Sequence, residues 1–152
     1  KKLIFVCNLF TKFWIISSFH YAFKVIDIQS IKDFYINLLS CEEGRSTETW
    51  INFNFFDYQL SAHVSSKFPK LYYCGKVDGF SVPIPHFGCI IDIDSFKEIE
   101  RKFEENKIEF VIKPQKRYEG KTGEQLTMFV FDHSGNPIEF KAFSNTDEIF
   151  SS

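Results

Sequence analysis

Apolar and polar positions along this chain follow two different periods, and the switches between them lay out its elements. Residues 19–25 are aromatic and β-branched, which predicts a strand. Ile31, Phe34, Tyr35, Leu38 and Leu39 then recur at helical spacing on one face, with Ser30 as the expected cap. Gly44 and the polar residues after it predict a turn into a short strand. Trp50, Ile51, Phe53 and Phe55 alternate with Asn52 and Asn54, the period of a half-buried strand. Asp57-Tyr58 turns the chain into a further strand over residues 59–64. The first unit therefore reads strand, helix, three strands.

The second unit starts at His86 and repeats the order. Ser95-Phe96-Lys97-Glu98 predicts a capping box, and Phe96, Ile99 and Phe103 form a buried helical stripe. Residues 108–112 predict a strand, and residues 113–123, basic and glycine-containing, predict a hairpin or loop. Leu126, Met128 and Val130 alternate with Thr127, Phe129 and Phe131 as a strand with two apolar faces. Residues 132–136 make a turn into a final strand over 137–143. Between the units, residues 65–85 carry three prolines and two glycines and read as a long connection, the kind that serves as a lid or linker.

The two units share residues as well as elements. Ser18-Phe19-His20-Tyr21-Ala22-Phe23 matches Ile84-Pro85-His86-Phe87-Gly88-Cys89, a histidine at the mouth of an apolar strand in each case. Aligning the last strands sets His63 over Glu139. A pseudo-twofold association of the units would bring His20, His63, His86 and Glu139 together, three imidazoles and a carboxylate suited to a divalent metal. His133, the fourth histidine, falls in a turn and is expected to be exposed.

Composition narrows the classes. A chain of 152 residues, 44% hydrophobic and with 20 phenylalanines, suits one globular domain with an aromatic core. A net charge of -2 with mixed signs gives no basis for a nucleic-acid partner. Cys7, Cys41, Cys74 and Cys89 form no C-x-x-C pair and fit reduced structural thiols in a cytoplasmic protein. Residues 1–17 begin Lys1-Lys2-Leu3-Ile4-Phe5. They are too short and too polar to span a bilayer, lack a small-residue cleavage site, and are set apart as an N-terminal extension. No membrane partner is expected. The domain is expected over 18–145, with modules 19–65 and 86–143 and a tail at 146–152.

The His-led strands at His20 and His86, the Gln59-Leu60-Ser61-Ala62-His63 segment, and the run Asp132-His133-Ser134-Gly135-Asn136-Pro137-Ile138-Glu139 together resemble the vicinal oxygen chelate superfamily. This is the glyoxalase, bleomycin-resistance and extradiol dioxygenase group. The last run is similar to the family's Asp-Pro-x-Gly-Asn-x-x-Glu turn and strand, with His133 where proline is usual. The resemblance covers residues 19–143. It implies an α+β fold of two βαβββ modules forming a half-open barrel around a metal site, with His20, His86 and Glu139 as ligands. His63 is either a fourth ligand, as in the glyoxalase branch, or an acid–base or packing residue, as the extradiol branch allows.

Further candidates surround that centre. Arg45 either reaches the barrel mouth to touch substrate or pairs with Glu48 on the surface. Tyr118 and Lys121 lie on the loop before the seventh strand of the repeat and are candidate substrate contacts. Glu124, on the same loop, is the candidate substrate-facing acid or base. The leading expectation is a dioxygenase-like enzyme that binds Fe(II), or Ni, Zn or Mn, and a small substrate chelating through adjacent oxygens. A glyoxalase-like lyase or isomerase is the alternative, and a metal-free drug- or metabolite-binding protein the third. A homodimer is expected, with the four site residues converging within one chain.

Overall fold

The computed structural model describes residues 18–68, 70–77 and 79–151. The expected N-terminal extension lies outside the described residues. Strands β1 (His20–Val25), β2 (Glu42–Ser46), β3 (Trp50–Phe55) and β4 (Tyr58–Val64) form one sheet in the order β1-β4-β3-β2. Here β1 runs parallel to β4, and the other pairs are antiparallel. After a hairpin of β5 (Tyr72–Val77) and β6 (Phe80–Ile84), strands β7 (Phe87–Ile90), β8 (Phe110–Arg117), β9 (Gln125–Phe131) and β10 (Pro137–Phe143) repeat the arrangement as β7-β10-β9-β8. A helix joins the first two strands of each sheet, α1 (Ile28–Ile31, continued in π turns over Lys32–Leu38) and α2 (Ile93–Glu105). The chain is thus α+β, two βαβββ modules.

Both helices start one turn earlier than the serines predict. The Asp27 carboxylate accepts the Ser30 amide at 2.7 Å, and Asp92 accepts that of Ser95 at 2.8 Å. An N-cap needs extended backbone before the first helical residue, and both aspartates have it. The serines sit three residues on, and Glu98 pairs with Arg101 instead of closing a capping box.

One expectation from glycine and proline content is corrected: the 65–85 connection is largely a β-hairpin, turned at Gly79 with φ of +88°. Strand β8 runs on to Arg117 and pairs antiparallel with β9, so residues 113–123, expected as a hairpin or loop, form one arm and the turn of a hairpin. It is an edge strand, where Pro114 removes no needed ladder bond, and register shifts absorb the irregularity.

Strand alternation divides the side chains into two sets. Phe23, Val25, Leu60, Ala62, Ile138, Phe140 and Ala142 face the helices and join both modules in a single core. Aromatic contacts cross the junction, among them Phe34 on Phe103 at 6.0 Å between centroids and Tyr21 on Phe87 at 5.1 Å. The 132–136 turn bolts the modules together. Ser134 Oγ accepts from the Ile26 amide, Asn136 donates to the Lys24 carbonyl, and Tyr35 donates from a fully buried hydroxyl to Asp132. Among the described residues no helix is long and apolar enough to cross a membrane.

Candidate metal centre

Glu139 lies on the alternate face of β10, turned from the core yet nearly buried. Its backbone pairs with Gly88 of β7, and the approach is so close that a Cβ on Gly88 would meet the Glu139 carbonyl at 1.8 Å. His86, just ahead of β7, brings Nε2 within 3.3 Å of Glu139 Oε2. Its other ring nitrogen, Nδ1, lies 2.8 Å from the Pro83 carbonyl, which can only accept. A proton is thereby held on Nδ1, and Nε2 is the atom presented to the carboxylate. The second carboxylate oxygen accepts from Thr127 Oγ1 at 2.8 Å, and Lys141 Nζ stands 3.3 Å from Oε2.

These contacts set the charges. The hydrogen bond to Glu139 raises the His86 pKa above its ordinary value, burial opposes this, and the Pro83 carbonyl adds to the rise. Burial alone would raise Glu139. The His86 contact, the Lys141 charge and the Thr127 hydroxyl outweigh it and keep the carboxyl lowered. An open cleft of about 460 Å³ fronts the pair, walled by Phe19, Tyr58 and Ile90 and reached by Lys141.

The pair fits half of a metal site. An imidazole nitrogen and a carboxylate oxygen point at each other, and each ligand's remaining polar atom is held by a fixed partner, as metal ligands usually are. His20 and His63 do not join it. Among the described residues no three His, Cys, Asp or Glu side chains come together to hold an ion. This corrects the expected convergence within one chain. His20 and His63 are exposed on the outer face of the first sheet, where His20 is level with Gln59 and His63 with Lys24, beside the Trp50 ring. Because the core-facing residues of both sheets hold the modules together, their outward faces are set apart.

Strand register also corrects the equivalence of His63 with Glu139. Gly88 pairs with Glu139 in the second sheet, and its counterpart Ala22 pairs with Ser61 in the first. Ser61 is therefore the residue matching Glu139, and it donates to Asn52 Oδ1 at 2.5 Å. A slip of two residues keeps a side chain on the same face, so alternation alone could not detect it.

The remaining candidates fall elsewhere. Arg45 lines a second cleft, of about 470 Å³, with Asn52, Asn54 and Gln59 on the outer face of the first sheet. Tyr118 and Lys121 border a separate hollow near Phe80. Glu124 pins its own loop, accepting from the Gly120 amide at 2.7 Å and Ser144 Oγ at 2.8 Å, and its pKa is lowered by the first of these above all. Sequence reasoning passed over Thr127 and Lys141. The signal available was their position, Lys141 two residues after Glu139 and Thr127 on the neighbouring strand, both on the Glu139 face. His133 is exposed as expected, its ring edge-on to Phe34.

No protein-family model and no curated protein matches the sequence. Solved structures do. A glyoxalase/bleomycin resistance protein/dioxygenase from Alicyclobacillus acidocaldarius superposes with a TM-score of 0.71 at 26% identity, covering 89% of this chain and 97% of that one. A glyoxalase/dioxygenase from Nostoc punctiforme gives 0.63 at 20% identity, over 95% and 99% of the two chains. The fosfomycin resistance protein FosX from Listeria monocytogenes gives 0.60 at 16% identity, over 88% and 95%. This chain has the fold of the vicinal oxygen chelate superfamily, as the His-led repeat implies.

Proposed function

We propose that this protein is a metal-dependent enzyme of the dioxygenase-like kind, acting on a small substrate that chelates the ion through two adjacent oxygens. The observation that carries the reading is the His86–Glu139 pair, 3.3 Å apart, with Nδ1 held by Pro83 and Oε1 by Thr127. His86 and Glu139 would supply one imidazole and one carboxylate. The third ligand is assigned to His20 of a second copy, since among the described residues no third His, Cys, Asp or Glu of the same chain joins the pair. That makes the working form a homodimer, with each site built from two chains.

The substitution of Ser61 at the place matching Glu139 favours three protein ligands over four, and thus the dioxygenase-like reading over the glyoxalase-like one. Two histidines and a carboxylate suit Fe(II) and leave open positions for a chelating substrate and O₂. When bound, such an ion acidifies the coordinated oxygens and brings the reactants together. The chain's own part is to orient Nε2 through the Pro83 carbonyl, to hold Glu139 Oε1 through the Thr127 hydroxyl, and to wall the substrate with Phe19 and Tyr58. His63 is an acid–base or positioning group in this reading. Glu124, Tyr118, Lys121 and Arg45 lie away from the pair and take no part in this reading. Cys41 and Cys89, free and buried, agree with a cytoplasmic place of action.

The test is complementation. His20→Ala and Glu139→Ala should each yield a folded protein that holds no stoichiometric metal. Dimers mixed from the two variants regain one intact site, so about a quarter of all sites in an equal mixture should fill. Full metal in Glu139→Ala alone, or an exchanged mixture that holds none, would sink the assignment.

A further inference from the structure

Lys141 is a cation built into a place where a metal site has no need of one. Its ammonium lies 3.3 Å from Glu139 Oε2, the same oxygen that His86 Nε2 approaches at 3.3 Å. It also borders the 460 Å³ cleft, where the other walls near it are apolar or aromatic, Phe19, Tyr58 and Ile90. Its side chain is one-third exposed, so it can swing without unpacking the core.

A divalent ion seated between His86 and Glu139 would take the lone pairs of Oε2 and repel the ammonium beside it. Lys141 then loses its ion pair with Glu139 while still lining the substrate cleft. A lysine in that position needs an anion, and the remaining lining offers none. We propose that Lys141 is a substrate-binding residue, and that the substrate carries a carboxylate or similar anionic group adjacent to the pair of oxygens that chelate the metal. The inference rests on the function proposed above and narrows its substrate class: neutral diols are poor ligands, and acidic ones are good.

The experiment uses the whole protein loaded with Zn(II), which binds chelators without turning them over. Calorimetric titrations compare catechol with 2,3-dihydroxybenzoate, which offers the same pair of oxygens with a carboxylate beside them. The wild-type protein should prefer the acid by about 10- to 100-fold, the range for one charge-assisted hydrogen bond. Lys141→Met should hold zinc at least as well, bind catechol within about twofold of wild type, and lose the preference for the acid. Lys141→Arg should keep most of it. Equal binding of the two probes by zinc-loaded wild type, or a preference that survives in Lys141→Met, overturns the inference alone. A wild-type protein that holds no zinc overturns the proposed function and this inference with it.

Discussion

Replacing Gly88 with alanine should part the two strands that carry the site. An added Cβ would sit 1.8 Å from the Glu139 carbonyl oxygen, where real Cβ atoms essentially never come within 3.0 Å of a neighbour. The obstacle is backbone in a sheet ladder, so no side chain can rotate out of the way. The β7 and β10 strands must move apart by roughly an ångström, and the bonds around the Gly88–Glu139 pair weaken together. Overpacking of this kind costs about 1–3 kcal/mol, and a backbone-to-backbone clash belongs at the upper end. For a chain of this length about 3 kcal/mol corresponds to a fall in Tm of about 6–12 °C. Thermal unfolding by circular dichroism checks it. Ala22→Gly, at the matching place in the first sheet, is the control and should cost only about 0.5–1 kcal/mol. A Gly88→Ala protein that melts within about 2 °C of wild type would refute the close approach of the strands.

Three further outcomes follow from the same structure. Tyr35→Phe strips the buried Asp132 carboxylate of the hydroxyl at 3.0 Å and should lower stability by about 1–3 kcal/mol, read from urea midpoints. Burial raises the Asp132 pKa from 3.8 against the opposing bonds from Asn136, Ser134 and Tyr35. Its contribution is therefore fully present below that value and lost as pH rises through the folded pKa, so the advantage of wild type over Asp132→Asn should shrink between pH 4 and pH 7; an advantage that grows would show the hydrogen bonds outweighing burial. His63→Ala should retain the metal that His86→Ala loses, since His63 stands two residues beyond the position matching Glu139; elemental analysis of the purified proteins decides it.

Most of the architecture was legible because the repeat writes each element twice. The histidine-led strands, the helical stripe of Phe96, Ile99 and Phe103, and the alternating strands all lie where their periods place them. Caps were misplaced because serine and aspartate satisfy the same amides, and only backbone conformation tells which residue stands outside the helix. The β5–β6 hairpin was hidden by prolines and glycines, which mark irregular backbone and edge strands alike. At the site, His86 and Glu139 were visible as two members of a larger set that also held His20 and His63. Their separation from His20 was not, because a sequence shows which residues share a face but not which faces the core will join.

The division of each strand into a core-facing and an outward set has a consequence for how this protein can change. Folding is vested in Phe23, Leu60, Phe140 and their fellows, while Ser61, Glu139 and Lys141, which alternate with them along the same strands, lie on the other face. The second set can be rewritten, with a new ligand or a new charge, while the first continues to assemble the chain. One scaffold can in this way be reassigned from one small molecule to another by a handful of substitutions, each tried against an unaltered interior.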